Sequence, residues 1–234
     1  MTTSLSKRSY LRAAFICILY IVIQCFQEYV FQTVPQPQNI EEELNQGFHT
    51  LHLIRSALLL SIFFVLVYVY AVVVYCDFNN NRLMYSLAFI AMLFFCLLEI
   101  GLRSIEFFYI QIDLVWNYML SKGQEGKKIA LQNFNLFKSV QRSLYFPLLI
   151  SQLIGSIIIA RLFPIKPKVN TLIKLAFGLN ACRLLLRVGE MFFYMKFLDH
   201  INGILYLPLA FIIYGSIAIW LFNKTQQPMY NTEN

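Results

Sequence analysis

Six stretches of this chain are each long and apolar enough to cross a lipid bilayer, and they constrain its fold more than any motif does. A spanning helix needs about 20 largely apolar residues. Such stretches lie at roughly 12–33, 53–75, 83–110, 144–163, 171–195 and 203–222, with polar segments at 35–46, 77–82, 111–142, 164–170 and 196–202 between them. The balance of residues agrees: 59% are hydrophobic and 13% charged, where a soluble domain has about a quarter charged. A soluble globule of 234 residues could not bury that much apolar surface. The sequence predicts an all-α, polytopic membrane protein, with residues 1–234 as a single domain of six transmembrane helices. Disordered, disulfide-stapled and solenoid architectures are excluded.

The net charge of +7 does not call for nucleic acid, because inner-facing loops of membrane proteins carry excess Lys and Arg. With the N-terminus inside, the inner segments hold Lys7, Arg8, Arg12, Arg82, Arg161, Lys166, Lys168, Lys174 and Lys224. The outer ones hold Lys122, Lys127, Lys128, Lys138, Arg142 and Lys196, and the first outer segment is acidic at Glu41, Glu42 and Glu43. Both termini are therefore expected in the cytoplasm and the protein in a cell inner membrane. The longer outer loop, 111–143, carries apolar residues at Ile129, Leu131, Phe134, Leu136, Phe137 and Val140. That pattern fits a helix lying on the outer membrane surface, and an ordinary solvated loop equally. The first apolar run continues into Gln24, Gln27 and Glu28 without a small-residue cleavage site, so it reads as a span rather than a signal peptide. The cysteines Cys17, Cys25, Cys76, Cys96 and Cys182 form no CxxC pair and read as small packing residues.

Ionisable groups inside a span cost about 2.5–3.5 kcal/mol each on insertion scales, so each asks for a partner or a purpose. Glu28 lies in the first span. His49, His52 and Arg55 open the second. Glu99, Arg103 and Glu106 lie in the third, and Arg183, Arg187 and Glu190 in the fifth. The last two sets share a spacing of four then three, which puts each on one helical face. Alternating span directions place all of these charges in the outer half of the bilayer. Four arginines balance four glutamates. Arg103-Ser-Ile-Glu106 aligns with Arg187-Val-Gly-Glu190, and Glu99 then with Arg183. If those faces meet, Glu99 pairs with Arg183 or Arg187, and Arg103 with Glu190.

Three functional readings follow. In the first, the cluster of Glu28, His52, Arg55, Glu99, Arg103, Glu106, Arg183, Arg187 and Glu190 lines an outward-facing site that binds or conducts a small anionic or lipid-like ligand, since arginine forks suit carboxylate and phosphate. In the second, the ion pairs only fix helix packing in a structural or assembly subunit with a protein partner or in a homo-oligomer. In the third, a minor one, the chain is an intramembrane hydrolase or transpeptidase-like enzyme. His49, His52 and His200 are weak metal candidates, but no HExxH, GxSxG or CxxC signature supports a metal or a nucleophile. No cofactor is expected, and the partners are the lipid bilayer and a small ligand. Gly155, among Ser151, Gln152 and Ser156, marks a close helix contact.

Several stretches together resemble a family of bacterial six-helix membrane proteins known as a domain of unknown function. They are Ser6-Lys7-Arg8, Leu19-Tyr20-Ile21 before Glu28, Arg55, Ser86 to Phe89 before Glu99, Gly155 ahead of Pro164, and Ile217 to Lys224. That resemblance implies six spans in a bacterial inner membrane and no activity. The shorter stretch Asn180-Ala-Cys-Arg183 with His200-Ile-Asn-Gly203 is similar to the exosortase and archaeosortase transpeptidases. Their nucleophilic cysteine precedes the arginine, and no cysteine stands between Cys96 and Cys182 here. This resemblance therefore implies a chain without that catalysis.

Overall fold

A computed structural model describes residues 5–76, 81–164, 168–193 and 195–226, with only the backbone of Lys196. Asp77, Lys166 and the Ile165–Pro167 part of the expected inner turn lie outside the described residues. What is described is helical, with no strand. The elements are α1 (Lys7–Thr33), α2 (Ile40–Gln46), α3 (Thr50–Tyr75), α4 (Arg82–Ser104), a π-helical segment (Ile105–Leu114), α5 (Val115–Leu120), α6 (Gln124–Leu162), α7 (Asn170–Phe193) and α8 (Lys196–Gln226).

Local chemistry sets the helix starts. Ser6 caps α1 by accepting from the Ser9 amide at 3.2 Å. Asn39 caps α2 by accepting from the Glu42 amide at 2.8 Å, while the Glu42 carboxylate accepts from the Gln38 amide. Asn81 caps α4 through the Met84 amide. Each satisfies a donor that the first helical turn leaves free.

The six long helical units pack in chain order, each against the next, and α8 closes back on α1. Each neighbouring pair is antiparallel. Phe15 meets Phe222 and Tyr20 meets Tyr214 between α1 and α8. Phe63 meets Phe95 while Arg55 reaches Glu106 between α3 and the α4 strut, the continuous helical unit Arg82–Leu120. Asn180 bonds Ser156, and Phe192 meets Phe146, between α7 and α6. The interior is tightly filled: a Cβ placed on Gly155 of α6 would stand 3.0 Å from Met92 of α4, so the expected close approach is there. The Tyr70 and Tyr214 hydroxyls bond across the core at 3.1 Å. Near the chain termini, Trp220 is wholly buried, donates to Asn170 at 3.2 Å and stacks edge-on to Phe163.

The outside of the ring is apolar. Phe15, Phe64, Ile90, Leu97, Leu185, Ile204 and Ile219 are each more than half exposed, a surface that suits lipid and not water. Five helices are long and apolar enough to cross a membrane: α1, α3, the Arg82–Leu120 unit, α6 and α8. This is the make-up of a multi-pass membrane protein. The sixth expected span, α7, takes its place in the ring but carries Lys174, Arg183, Arg187 and Glu190, and it is not among the five.

The expected outer loop, 111–143, is helical. The Arg82–Leu120 unit and α6 have 39 residues each, and a helix of that length runs about 58 Å against a hydrocarbon thickness of about 30 Å. The two form a hairpin that turns at 121–123 and rises beyond the ends of α1 and α3. The segment that reads equally as a surface helix or a solvated loop is the first half of α6, continuous with the fourth span. Its apolar residues Phe134 and Phe137 pack with Leu44, Ile110, Leu114 and Tyr118 into a second core. Ile129, Leu136 and Val140 of the same segment stay exposed. Glu43 to Lys138 at 2.7 Å, and a Tyr118 hydroxyl donating to Glu41, tie α2 onto this cap.

Candidate functional site

The antiparallel order places the charged residues at the end of the bundle away from the chain termini. There they divide into separate sets. The first links α3 to the α4 strut: Glu106 accepts from Arg55 Nη2 at 3.1 Å and from Arg103 Nη1 at 2.6 Å, one carboxylate oxygen to each. Arg103 Nε stands 3.4 Å from Glu99 Oε2, an ion pair without hydrogen-bond alignment. In the second set, Arg187 grips both oxygens of Glu190 at 2.8 Å, and Asn202 of α8 donates to Glu190 at 2.5 Å. Arg183 lies over the Tyr206 ring, 5.8 Å from its centroid, and the Tyr206 hydroxyl donates to Gln24 of α1. Glu28 stays apart on α1, bonded to Gln32.

The ion pairs expected across the third and fifth spans are replaced by others. In the ring, α6 stands between α4 and α7, so the two matching charged faces do not pack together. Arg103 turns to Glu106 and Glu99 on its own helical strut, and Glu190 to Arg187 on its own helix. Among the described residues Arg183 makes no salt bridge, and its buried Nε has no hydrogen-bond partner.

The π geometry positions Glu106. Its wider i→i+5 turn carries Glu106 and Gln111, one turn apart, to the same side of the segment. Both line a cavity of about 380 Å³ at the base of the cap. Its floor is Arg55, Glu106 and Gln111, and His52 stands at one side. Its walls are Phe31, Val34, Leu44, Ile110, Phe134 and Phe137, and its rim includes Glu43, Lys138 and Gln141. The Phe31 ring covers the Arg55 guanidinium at 4.9 Å, a favourable cation–π contact. Two buried floor atoms make no hydrogen bond: Nε of Arg55 and Oε1 of Gln111. Unpaired groups of this kind are costly unless something else meets them.

The histidines do not gather. His49 caps α3 through its Nδ1, 3.3 Å from the Leu51 amide, with its ring 6.3 Å from that of His52. His200 is exposed on α8. No three His, Cys, Asp or Glu among the described residues could hold a metal. Asn180 is buried and donates to Ser156 at 2.8 Å, and Cys182 faces outward. The cavity walls escaped the sequence reading. Phe31 and Val34 end the first span, while Leu44, Phe134 and Phe137 sit in segments of mixed polarity. The one visible sign was the spacing of Phe134 and Phe137 on a helical face.

No family model matches this chain, and no curated protein or solved structure is similar to it.

Proposed function

We propose that this chain is a six-span inner-membrane protein, with both termini cytoplasmic, that binds a small anionic or lipid-like ligand in the outward cavity at the base of its cap. In this reading α7 is the sixth span, with Glu190 held by Arg187 of its own helix and by Asn202 of α8. The observation that carries the proposal is the make-up of the cavity. An arginine with an unmet donor stands at the floor and six apolar side chains form the walls. Its volume falls in the range of small-molecule sites. A guanidinium meets an anionic head by charge-assisted bonds, and the aromatic walls accept an apolar body. The experiment is mass spectrometry of organic extracts from protein purified in a neutral detergent. An anionic amphiphile should co-purify with the native chain and be lost from the cavity-filling variant Ile110→Trp. Equal recovery from both would overturn the assignment. Orientation is tested by cysteines placed at Arg8 and Glu125: impermeant reagent added to intact cells should label only the second.

A second reading, an assembly subunit with purely structural ion pairs, draws on the Arg55–Glu106 bridge, which fixes the register of α3 against the α4 strut. It predicts no bound amphiphile and a protein partner that co-purifies stoichiometrically.

A further inference from the structure

Arg55 and Arg103 share Glu106, and Arg103 also stands beside Glu99, so the bridged set holds two cations and two carboxylates. Arg187 is matched by Glu190 and Lys138 by Glu43. Glu106 is also divided unequally: its contact with Arg103 is 2.6 Å and that with Arg55, at the cavity floor, is 3.1 Å. Charge-assisted bonds strengthen as they shorten to about 2.7–2.9 Å, so the cavity-side contact is the weaker one.

We infer that the cavity takes a ligand with a single anionic group, carboxylate or phosphate, on an apolar chain, and that this group binds Arg55 by displacing Glu106, which passes wholly to Arg103. This rests on the binding reading above. With the anion on Arg55 and Glu106 on Arg103, each of the two arginines that shared Glu106 keeps an anionic partner. The anion takes the Nη2 of Arg55 that Glu106 gives up.

The exchange makes Glu106 a competitor of the ligand rather than a contact to it, and that is testable. Laurate and dodecyl phosphate are titrated onto the full chain in a neutral maltoside detergent, with native mass spectrometry as readout. Phosphatidylglycerol and phosphatidylcholine nanodiscs form the parallel arms. Glu106→Gln should bind the anionic probes about fivefold more tightly or better, an ordinary magnitude for coupled sites. Arg55→Gln should lose them. Binding that weakens in Glu106→Gln, or stays unchanged while Arg55→Gln still abolishes it, overturns the exchange and leaves the binding site standing. Binding equal in the native chain and Arg55→Gln overturns both. Because Glu106→Gln weakens the fold, its thermal midpoint is measured as well: dodecyl phosphate should restore it more than it raises that of the native chain, and equal shifts count against the exchange. Stronger binding from phosphatidylglycerol than from laurate assigns a lipid headgroup as the source, and the reverse a free amphiphile.

Discussion

Arg55 of α3 and Glu106 of the π-helical segment are bonded at 3.1 Å across a separation of 51 residues. Neither is free to leave at equal cost. Without Arg55, Glu106 keeps Arg103 at 2.6 Å. Without Glu106, Arg55 is buried beside no carboxylate. Removing one partner of a buried pair costs about 3–5 kcal/mol when the other is left uncompensated. Glu106→Met should therefore approach that loss, and Arg55→Met should cost clearly less, on the order of 1 kcal/mol. Unfolding free energies in mixed micelles would show it, and equal losses would refute the shared-carboxylate geometry.

Gly155 is held by Met92. A Cβ at that position meets the Cγ and Cε of Met92 at 3.0 Å, and Met is a flexible side chain. Gly155→Ala should be tolerated within about 1 kcal/mol, while Gly155→Leu should destabilise by about 1–3 kcal/mol through overpacking. Adding Met92→Ala to Gly155→Leu should return a good part of the loss. Thermal midpoints of the single and double variants give the answer, and no recovery would place the strain elsewhere.

Trp220 donates to Asn170 inside the core. Trp220→Phe removes the donor and strands a buried amide oxygen, a loss of about 1–3 kcal/mol. Asn170→Leu added to it should recover stability, since both polar groups are then gone. If the double variant is as weak as the single, the bond is not the source of the cost.

The bridge from Glu43 to Lys138 differs in kind. Both side chains are more than a third exposed, so solvent screens the pair. Lys138→Ala should change stability by less than about 1 kcal/mol. Its effect should appear in salt titrations of ligand uptake, because Lys138 stands at the rim of the cavity.

The apolar runs were legible because their burial is one-dimensional: a lipid-facing helix must be apolar over its whole length, whatever packs beside it. Five of the six are long and apolar enough to cross a membrane. Glu99, Arg103 and Glu106 were legible as one face by their spacing. What spacing could not convey is which helix stands beside which. With α6 between α4 and α7, Arg103 and Glu190 found partners on their own helical units, and Glu106 a second one in Arg55 of α3. The cap was unreadable for a different reason. Residues 111–143 bury Phe134 and Phe137 against α2 and α5, so their face reads as weakly amphipathic, as a surface helix or a loop would. The π turn leaves no mark in composition at all. It changes only which of Glu106, Ile110 and Gln111 point together.

The order of packing has a consequence for how the protein is made. Long helices that adjoin in the ring also follow one another along the chain, save α8 on α1. Contacts between nearby segments form early and cheaply, so most of the bundle can assemble as each helical pair leaves the ribosome. The Tyr20–Tyr214 and Tyr70–Tyr214 contacts must wait for the final span. Until then Tyr70 has no hydroxyl partner and the first helix has one open flank. Without α8 that polar seam would face lipid, which makes the arrival of this helix, rather than any earlier pairing, the step that closes the ring.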